Sequence, residues 1–374
     1  MNLADMLCYA DIHQLKKIAQ HYGCECSWNS KNELIQAILN AISRKETFNQ
    51  FIGEMTVEDI RFLNSMLFEN RVSYTLEDLT ARASQARLSP ALGNDLSREM
   101  ISSFKQRGWL FNGYSHDTKF AFQVPEDLKA RACHALQGKF QSNLMRVEEP
   151  PAYRDEQHVL ADDITFFLRF LAQEDIPLTT DGTIYKRVLS QLLDGMTVKE
   201  QPLSRVGWRF GYGRRFRDYP NRFSFIYDYC FYHELIREER DQLLLTEAGM
   251  TFIQENHKDD LGQMYRLWIR LYKGPVPNIL SLTHWVQRLC TRWTTASSLI
   301  ATLSPMVKPF YYDSAETIVE QRILHMMLHL GLIRMGDSVV GKVVQATQVA
   351  SSAIRGVKVS DEEVITFDNQ YVPG

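Results

Sequence analysis

No apolar run in this 374-residue chain approaches the roughly 18–20 residues that a membrane helix needs, so no membrane span is expected. The opening residues, MNLADMLCYADIHQL, lack a basic segment followed by an apolar one, and no export signal is expected either. Six cysteines (Cys8, Cys24, Cys26, Cys133, Cys230 and Cys290) show no disulfide-framework spacing, which reads as a reduced, cytosolic chain. An excess of one charge is missing as well. The net charge of −3 argues against a protein that coats nucleic acid over its whole surface. Catalytic signatures are equally scarce: there is no G-x-S-x-G elbow and no assignable Ser/His/Asp or Cys/His set. Acidic pairs such as Asp162-Asp163 and Asp259-Asp260 suit helix N-termini better than catalysis. What remains is an ordinary globular composition, 45% hydrophobic and 23% charged, long enough for two to four modest domains.

Three strings imitate chemical motifs and fall short of them. Gly336-Asp-Ser-Val-Val-Gly341-Lys342-Val343 has the glycines and lysine of a phosphate-binding loop, but Val343 stands where a Mg²⁺-holding hydroxyl belongs. A β-hairpin explains the same residues. His325 and His329 in HMMLH have the spacing of zinc-protease ligands without the glutamate base, which leaves a core-edge or surface pair. His21, Cys24 and Cys26 lack a second pair at zinc-knuckle spacing. No enzyme activity, cofactor or metal is expected.

The positive pattern is helical. Leu15, Ile18 and Ala19 repeat at helical spacing before Gly23, a natural stop, and Ser30 with Glu33 reads as a capping box ahead of a stripe of Leu34, Ile35, Ile38 and Ile42. Residues 1–45 therefore form a helical head. Beyond it, one logic occurs three times: two helices, then an amphipathic third helix, a short apolar strand, a polar turn and a second strand. The first-helix segments are VEDIRFLNSMLF, DDITFFLRFLAQE and LTHWVQRLCTRW. The second-helix segments are YTLEDLTARAS, DGTIYKRVLSQLL and TASSLIATL, with Thr or Ser placed to cap each. The strand pairs are Trp109–Phe111 with Phe120–Val124, Leu235-Ile236 with Leu243–Leu245, and Leu332-Ile333 with Val339–Val344. Glu148-Glu149-Pro150-Pro151 and Gly274-Pro275-Val276-Pro277 break the chain between repeats, and LGQMYRLWIRLY (261–272) is a packed connecting helix.

The head, "L..IA...G" followed by "K.ELI..IL", resembles the small helical motif of SAP domains and of the Rho-factor N-terminal region, motifs that touch DNA or RNA. The repeats, on the segments IPLTTDGTIYKRVLSQLL, HELI…LLLTEAG and FAFQVPEDL, resemble the winged-helix accessory regions of XPB-type helicases, over about 50–350. The resemblance implies a mainly α chain with small β-hairpins (α+β): tandem winged-helix modules at 50–145, 155–257 and 261–355 behind the head, with a tail at 356–374. It implies binding to DNA or to a helicase partner, with no motor of its own.

A winged helix reads DNA with donors on its third helix. With Leu96, Met100, Ile101 and Phe104 as the buried side, module one offers Arg98, Ser102, Lys105 and Arg107, with Lys119 on the wing. Module three exposes Glu316 and Glu320 instead, and module two's third helix carries Asp228 among aromatics. Lys186 and Arg187 on module two's second helix are further candidates for phosphate.

Between the second and third helices of module two lies an insertion, 199–220, which runs into RVGWRFGYGRRFRDYPNR (205–222): six arginines and five aromatics in eighteen residues. Six Arg against one Asp make this segment +5 and leave −8 for the remainder of the chain. Trp208, Phe210 and Tyr212 alternate as in a short strand, a core-like aromatic set. Arg205, Arg209, Arg214, Arg215, Arg217 and Arg222 are candidate phosphate contacts, as in single-strand binding; pairing with Asp218, Asp228 and Glu234 is the alternative. The leading expectation is a cytosolic, non-enzymatic DNA-binding protein, acting on duplex, forked or single-stranded DNA beside a helicase or repair machine. The rivals are a protein-interaction scaffold and a transcription regulator.

Overall fold

Side-chain caps set where many of the helices begin. Thr56 and Thr75 each accept the backbone N–H of the aspartate three residues on, and Asp59 and Asp78 return the bond. Asn2 and Asp5 make the same reciprocal pair. Ser30 makes only half of the expected box: its hydroxyl accepts the Glu33 N–H at 3.3 Å, while the Glu33 carboxylate takes the N–H of Ser27 at 3.2 Å. The second helices of the later repeats lack the expected caps. Tyr185 and Thr295 stand at those positions without a side-chain cap, and Thr183 is engaged with Thr179 instead.

The computed structural model describes residues 1–87, 94–113, 118–203, 212–255 and 261–356. They form a mainly helical chain with small antiparallel sheets, in two units, 1–143 and 144–374. Among the described residues no helix is long and apolar enough to cross a membrane.

In the first unit the head is α1 (Leu3–Tyr9), α2 (Ile12–His21) and α3 (Lys31–Ser43), followed by α4 (Lys45–Glu54). Gly23 ends α2 in the left-handed region, φ 61°. Next come α5 (Val57–Leu67), α6 (Leu76–Ala86), α7 (Asn94–Gln106), the hairpin β1 (Phe111–Asn112) and β2 (Phe122–Gln123), and α8 (Glu126–Gln141). Tyr74, between α5 and α6, bridges to Phe122 as a minimal third strand. The head is not a separate body. Tyr22 Oη donates to the Arg107 carbonyl at 2.9 Å, Gln14 Nε2 to that of Leu110 at 3.1 Å, and Asp127 accepts the Leu3 N–H at 2.8 Å.

The second unit holds β3 (Tyr153–Asp155), α9 (Val159–Gln173), β4 (Ile176–Pro177), α10 (Lys186–Gly195), α11 (Asn221–Tyr232), β5 (Ile236–Glu239), β6 (Gln242–Leu245), α12 (Glu247–Gln254) and α13 (Leu261–Tyr272). It continues with α14 (Ile279–Leu289), β7 (Thr294–Thr295), α15 (Ala296–Leu303), α16 (Ala315–Thr317), a π-helical stretch (Ile318–Leu324), α17 (His325–His329), β8 (Ile333–Ser338), β9 (Gly341–Ala346) and α18 (Gln348–Gly356). One order thus occurs three times: helix, short strand, helix, helix, hairpin. Each time the short strand pairs with the hairpin's second strand, Tyr74 with Phe122, Ile176 with Leu243 and Thr294 with Val344.

The acidic, proline-rich stretch 148–151 is not a free tether. The Val147 N–H donates to the Trp293 carbonyl at 3.1 Å, and β3 adds an edge strand to β8, pairing Tyr153 with Gly336. The sheet order is β3-β8-β9-β7. A Cβ on Gly336 would lie 2.6 Å from the Pro150 ring and 2.8 Å from the Ala152 carbonyl, so a close strand crossing requires this glycine. The phosphate-loop imitation is therefore hairpin: Gly336 lies in β8 and Lys342 and Val343 in β9.

Candidate nucleic-acid interface

Arg98, Ser102 and Lys105 recur at helical spacing on α7, which places them on one face. Beside them Ile101 and Phe104 are buried, Phe104 edge-on to Phe62 at 4.8 Å, while Leu96 and Met100 are only half-buried. This orientation aims Arg98, Ser102 and Lys105 into a cleft of about 510 Å³. The far wall belongs to the head, where Tyr9, His13, Gln14 and Lys17 line it. His13 and Lys17 lie four apart on α2, so one helical face presents both. Ile101, Phe111 and Phe122 form an apolar floor, and the Lys105 ammonium sits 5.2 Å from the centre of the Phe122 ring. Among the described residues three cations, Lys17, Arg98 and Lys105, face a single carboxylate, Asp11, whose oxygen already caps α2 through the Gln14 N–H at 2.8 Å.

Arg107 does not join this set. It pairs with Asp59 at 3.1 Å and lines a separate 160 Å³ hollow with His21, Tyr22 and Trp109. Lys119 is exposed on the turn between β1 and β2, its ammonium 4.9 Å from the ring centre of Phe120, which is 79% exposed. Asn112, a cleft residue, points its amide at the Lys119 carbonyl, 3.5 Å away. Sequence reasoning missed Lys17 and His13. Their signal was present in DIHQLKKIAQ, where burial of Leu15, Ile18 and Ala19 leaves His13 and Lys17 outward.

In the second unit three of the candidate arginines, Arg214, Arg215 and Arg222, are held by carboxylates. Arg205 and Arg209, with Trp208 and Phe210, lie outside the described residues. Tyr212 lies in a bend rather than in the expected strand, and it is core. Its hydroxyl reaches Asp313 at 3.2 Å and its ring meets Tyr272 edge-on at 4.9 Å. Arg214 and Arg215 converge on Glu238, at 2.6 and 3.2 Å, and Tyr227 donates to the same carboxylate at 2.6 Å. Burial opposes the charge on Glu238, but the hydrogen bonds from Arg214 and Tyr227 and the Arg215 charge outweigh it and hold the carboxyl below its usual range. Of the acids expected to pair with these arginines, Asp218 lies 3.8 Å from Arg215, and Asp228 accepts the backbone N–H of Arg214. Glu238, two residues into β5, was the partner the sequence concealed. Arg217 is exposed, as are Lys186 and Arg187 at the start of α10.

Arg222, a candidate phosphate contact by sequence, is core. It is 0% exposed and pairs with Asp163 at 2.5 Å and with Glu156 at 3.4 Å, so no phosphate can reach it. His329 also binds Glu156, at 3.0 Å, which commits one of the two HMMLH histidines to a core contact. His325 is half-buried and its pKa is lowered, burial first and the neighbouring His329 second. Among the described residues no group of three His, Cys, Asp or Glu is placed to hold a metal.

No family model, curated protein or solved structure matches this chain.

Proposed function

We propose that this chain is a tandem winged-helix protein that binds DNA through its first unit and acts as an accessory to another machine, by binding rather than by catalysis. The recurring order of helix, short strand, helix, helix and hairpin supports the winged-helix reading and with it the resemblance to helicase accessory regions. One observation carries the binding site: the face of α7 that bears Arg98, Ser102 and Lys105 lines a cleft whose only carboxylate among the described residues, Asp11, is already used as a helix cap. Lys119 on the wing extends that face. The arginine turn of the second unit is a lesser candidate, because Glu238 neutralises two of its members.

A binding titration of the full chain against duplex, single-stranded and forked DNA at two salt concentrations tests this. The double change Arg98→Ala/Lys105→Ala removes two phosphate contacts and should flatten the log–log salt slope by about 1.4–1.8, at roughly 0.7–0.9 per phosphate. Affinity and slope both unchanged would overturn the reading. A second reading, a scaffold that docks a partner protein, is favoured by one observation in the second unit: Val339 and Val340 stand 106% and 52% exposed at the tip of the β8–β9 hairpin. A stoichiometric protein partner, with no DNA shift at low salt, would select it.

A further inference from the structure

We infer that the cleft between the head and α7 holds a single strand of DNA, a nucleotide or two at a time, and that the head keeps duplex out. The inference rests on the DNA-binding reading above and specifies its substrate. Space excludes duplex. A major groove about 12 Å wide admits one helix about 10–12 Å across. Here α2 stands across the cleft from the face of α7 that carries Arg98, Ser102 and Lys105, held there by the Tyr22–Arg107 and Gln14–Leu110 hydrogen bonds. A groove cannot close over α7 while α2 occupies the same side. The head is anchored again at α8, where Asp127 accepts the Leu3 N–H and the Glu126 N–H reaches the Met1 carbonyl. Exposing α7 would break all of these contacts.

The chemistry of the cleft suits a single strand. A volume of about 510 Å³ lies in the range of sites that enclose small ligands, about 300–1,000 Å³, and suits a nucleotide rather than a double helix. The floor is apolar but nearly closed, Ile101, Phe111 and Phe122 being 3%, 2% and 9% exposed, so an unpaired base would lie against their edges. Lys17 and Arg98 stand at the rim on opposite walls, where successive phosphates would pass, and Ser102, Gln106 and Asn112 supply hydrogen-bonding groups for base edges. Tyr9, 65% exposed, flanks the mouth, and Phe120 stands beyond the Asn112 end as a second stacking surface. Cations alternating with aromatic faces are how single strands are held without reading duplex geometry.

The test is fluorescence anisotropy of the full chain with a labelled 12-nucleotide DNA strand, the same strand as a duplex, and its RNA counterpart. Single-stranded DNA should bind about tenfold or more tightly than duplex, as stacking on one base allows. Lys17→Glu, on the head wall, should weaken single-strand binding by about tenfold and flatten its salt slope by about 0.7. Lys17→Gln, which keeps the exposed side chain polar, should do so to a smaller degree, and thermal melting checks that both variants fold. Duplex bound as well as single strand, or Lys17 changes without effect, would overturn the inference. Preference for the RNA strand would overturn the assignment to DNA. If duplex binding is lost in Arg98→Ala/Lys105→Ala and untouched by Lys17→Glu, the general DNA-binding reading stands and this inference falls. If neither variant matters, both fall.

Discussion

Asp228 lies beneath the arginine turn, 1% exposed, and accepts the backbone N–H of Arg214 at 3.1 Å. Burial pushes its carboxyl up to about 8, against the pull of that N–H and of the Arg214 and Arg215 charges, with Glu238 adding to the rise. An unfolded aspartate releases its proton near pH 4. Between about pH 4 and 8 the folded chain therefore holds a proton that the unfolded chain has lost, and stability falls as pH rises through that window. Asp228→Asn keeps the acceptor oxygen and removes the titration. Measured by thermal melting at pH 5, 6, 7 and 8, the wild-type melting temperature should fall relative to that of the variant as pH rises. Parallel curves would show that this carboxyl does not titrate there. Nothing in RVGWRFGYGRRFRDYPNR hints at a neutral acid below it, because Asp228 is contributed by the following helix.

At the scale of one element, the turn 212–219 shows how a basic segment is turned inward. Tyr212 and Tyr219 anchor its ends in the core, Tyr219 accepting the Ile184 N–H at 2.9 Å. Arg215 is fixed by Glu238 and by the Asp181 carbonyl, 3.0 Å away. Arg214 lies over the Phe231 ring, 4.1 Å from its centre. A guanidinium held by a carboxylate and a ring must give up those contacts to reach phosphate, and the half-buried Glu238 would lose its partners. Arg214→Ala/Arg215→Ala/Arg217→Ala should therefore lower thermal stability and leave DNA affinity within about twofold, far less than one lost phosphate contact costs at low salt. A loss as large as that from Arg98→Ala/Lys105→Ala would restore the turn as a binding surface. On α7 the opposite holds: among the described residues the one carboxylate lining the cleft with Arg98 and Lys105 is Asp11, which caps α2.

At the scale of the whole molecule, the second and third repeats are joined by one buried charge cluster. Glu156 follows β3, Asp163 belongs to α9, Arg222 opens α11 and His329 closes α17. Asp163 also accepts the Thr197 N–H at 2.8 Å. Burial opposes the charge on Glu156, yet His329, Arg154 and Arg222 hold its carboxyl below the usual range. Removing Arg222 strips Asp163 of its ion-pair partner in a dry place and leaves Glu156 to His329 and Arg154. Arg222→Ala should cost about 3–5 kcal/mol of stability, read by urea denaturation, and should leave DNA binding by the folded protein unchanged. A cost below about 1 kcal/mol would mean that the cluster is hydrated in solution. The cluster is one of the contacts, with the β3–β8 pairing, that join what the sequence reads as two modules and a linker.

Local order was legible because it depends on neighbours in sequence. Gly23 as a helix stop, the stripe of Leu34, Ile35, Ile38 and Ile42, the buried face of α13 and the three helix–helix–hairpin repeats all follow from periodicity and turn chemistry. Composition alone also set a basic island in an acidic chain. Tertiary structure decided which charges face outward, since partners such as Glu238 for Arg214, Asp163 for Arg222 and Asp59 for Arg107 lie 24, 59 and 48 residues away along the chain. It also decided that the head closes over α7, through hydrogen bonds from Gln14 and Tyr22 to carbonyls 96 and 85 residues distant. A sequence pattern reports the period of burial; whether an exposed cation meets solvent, a carboxylate or the wall of a cleft depends on contacts that only the folded chain makes.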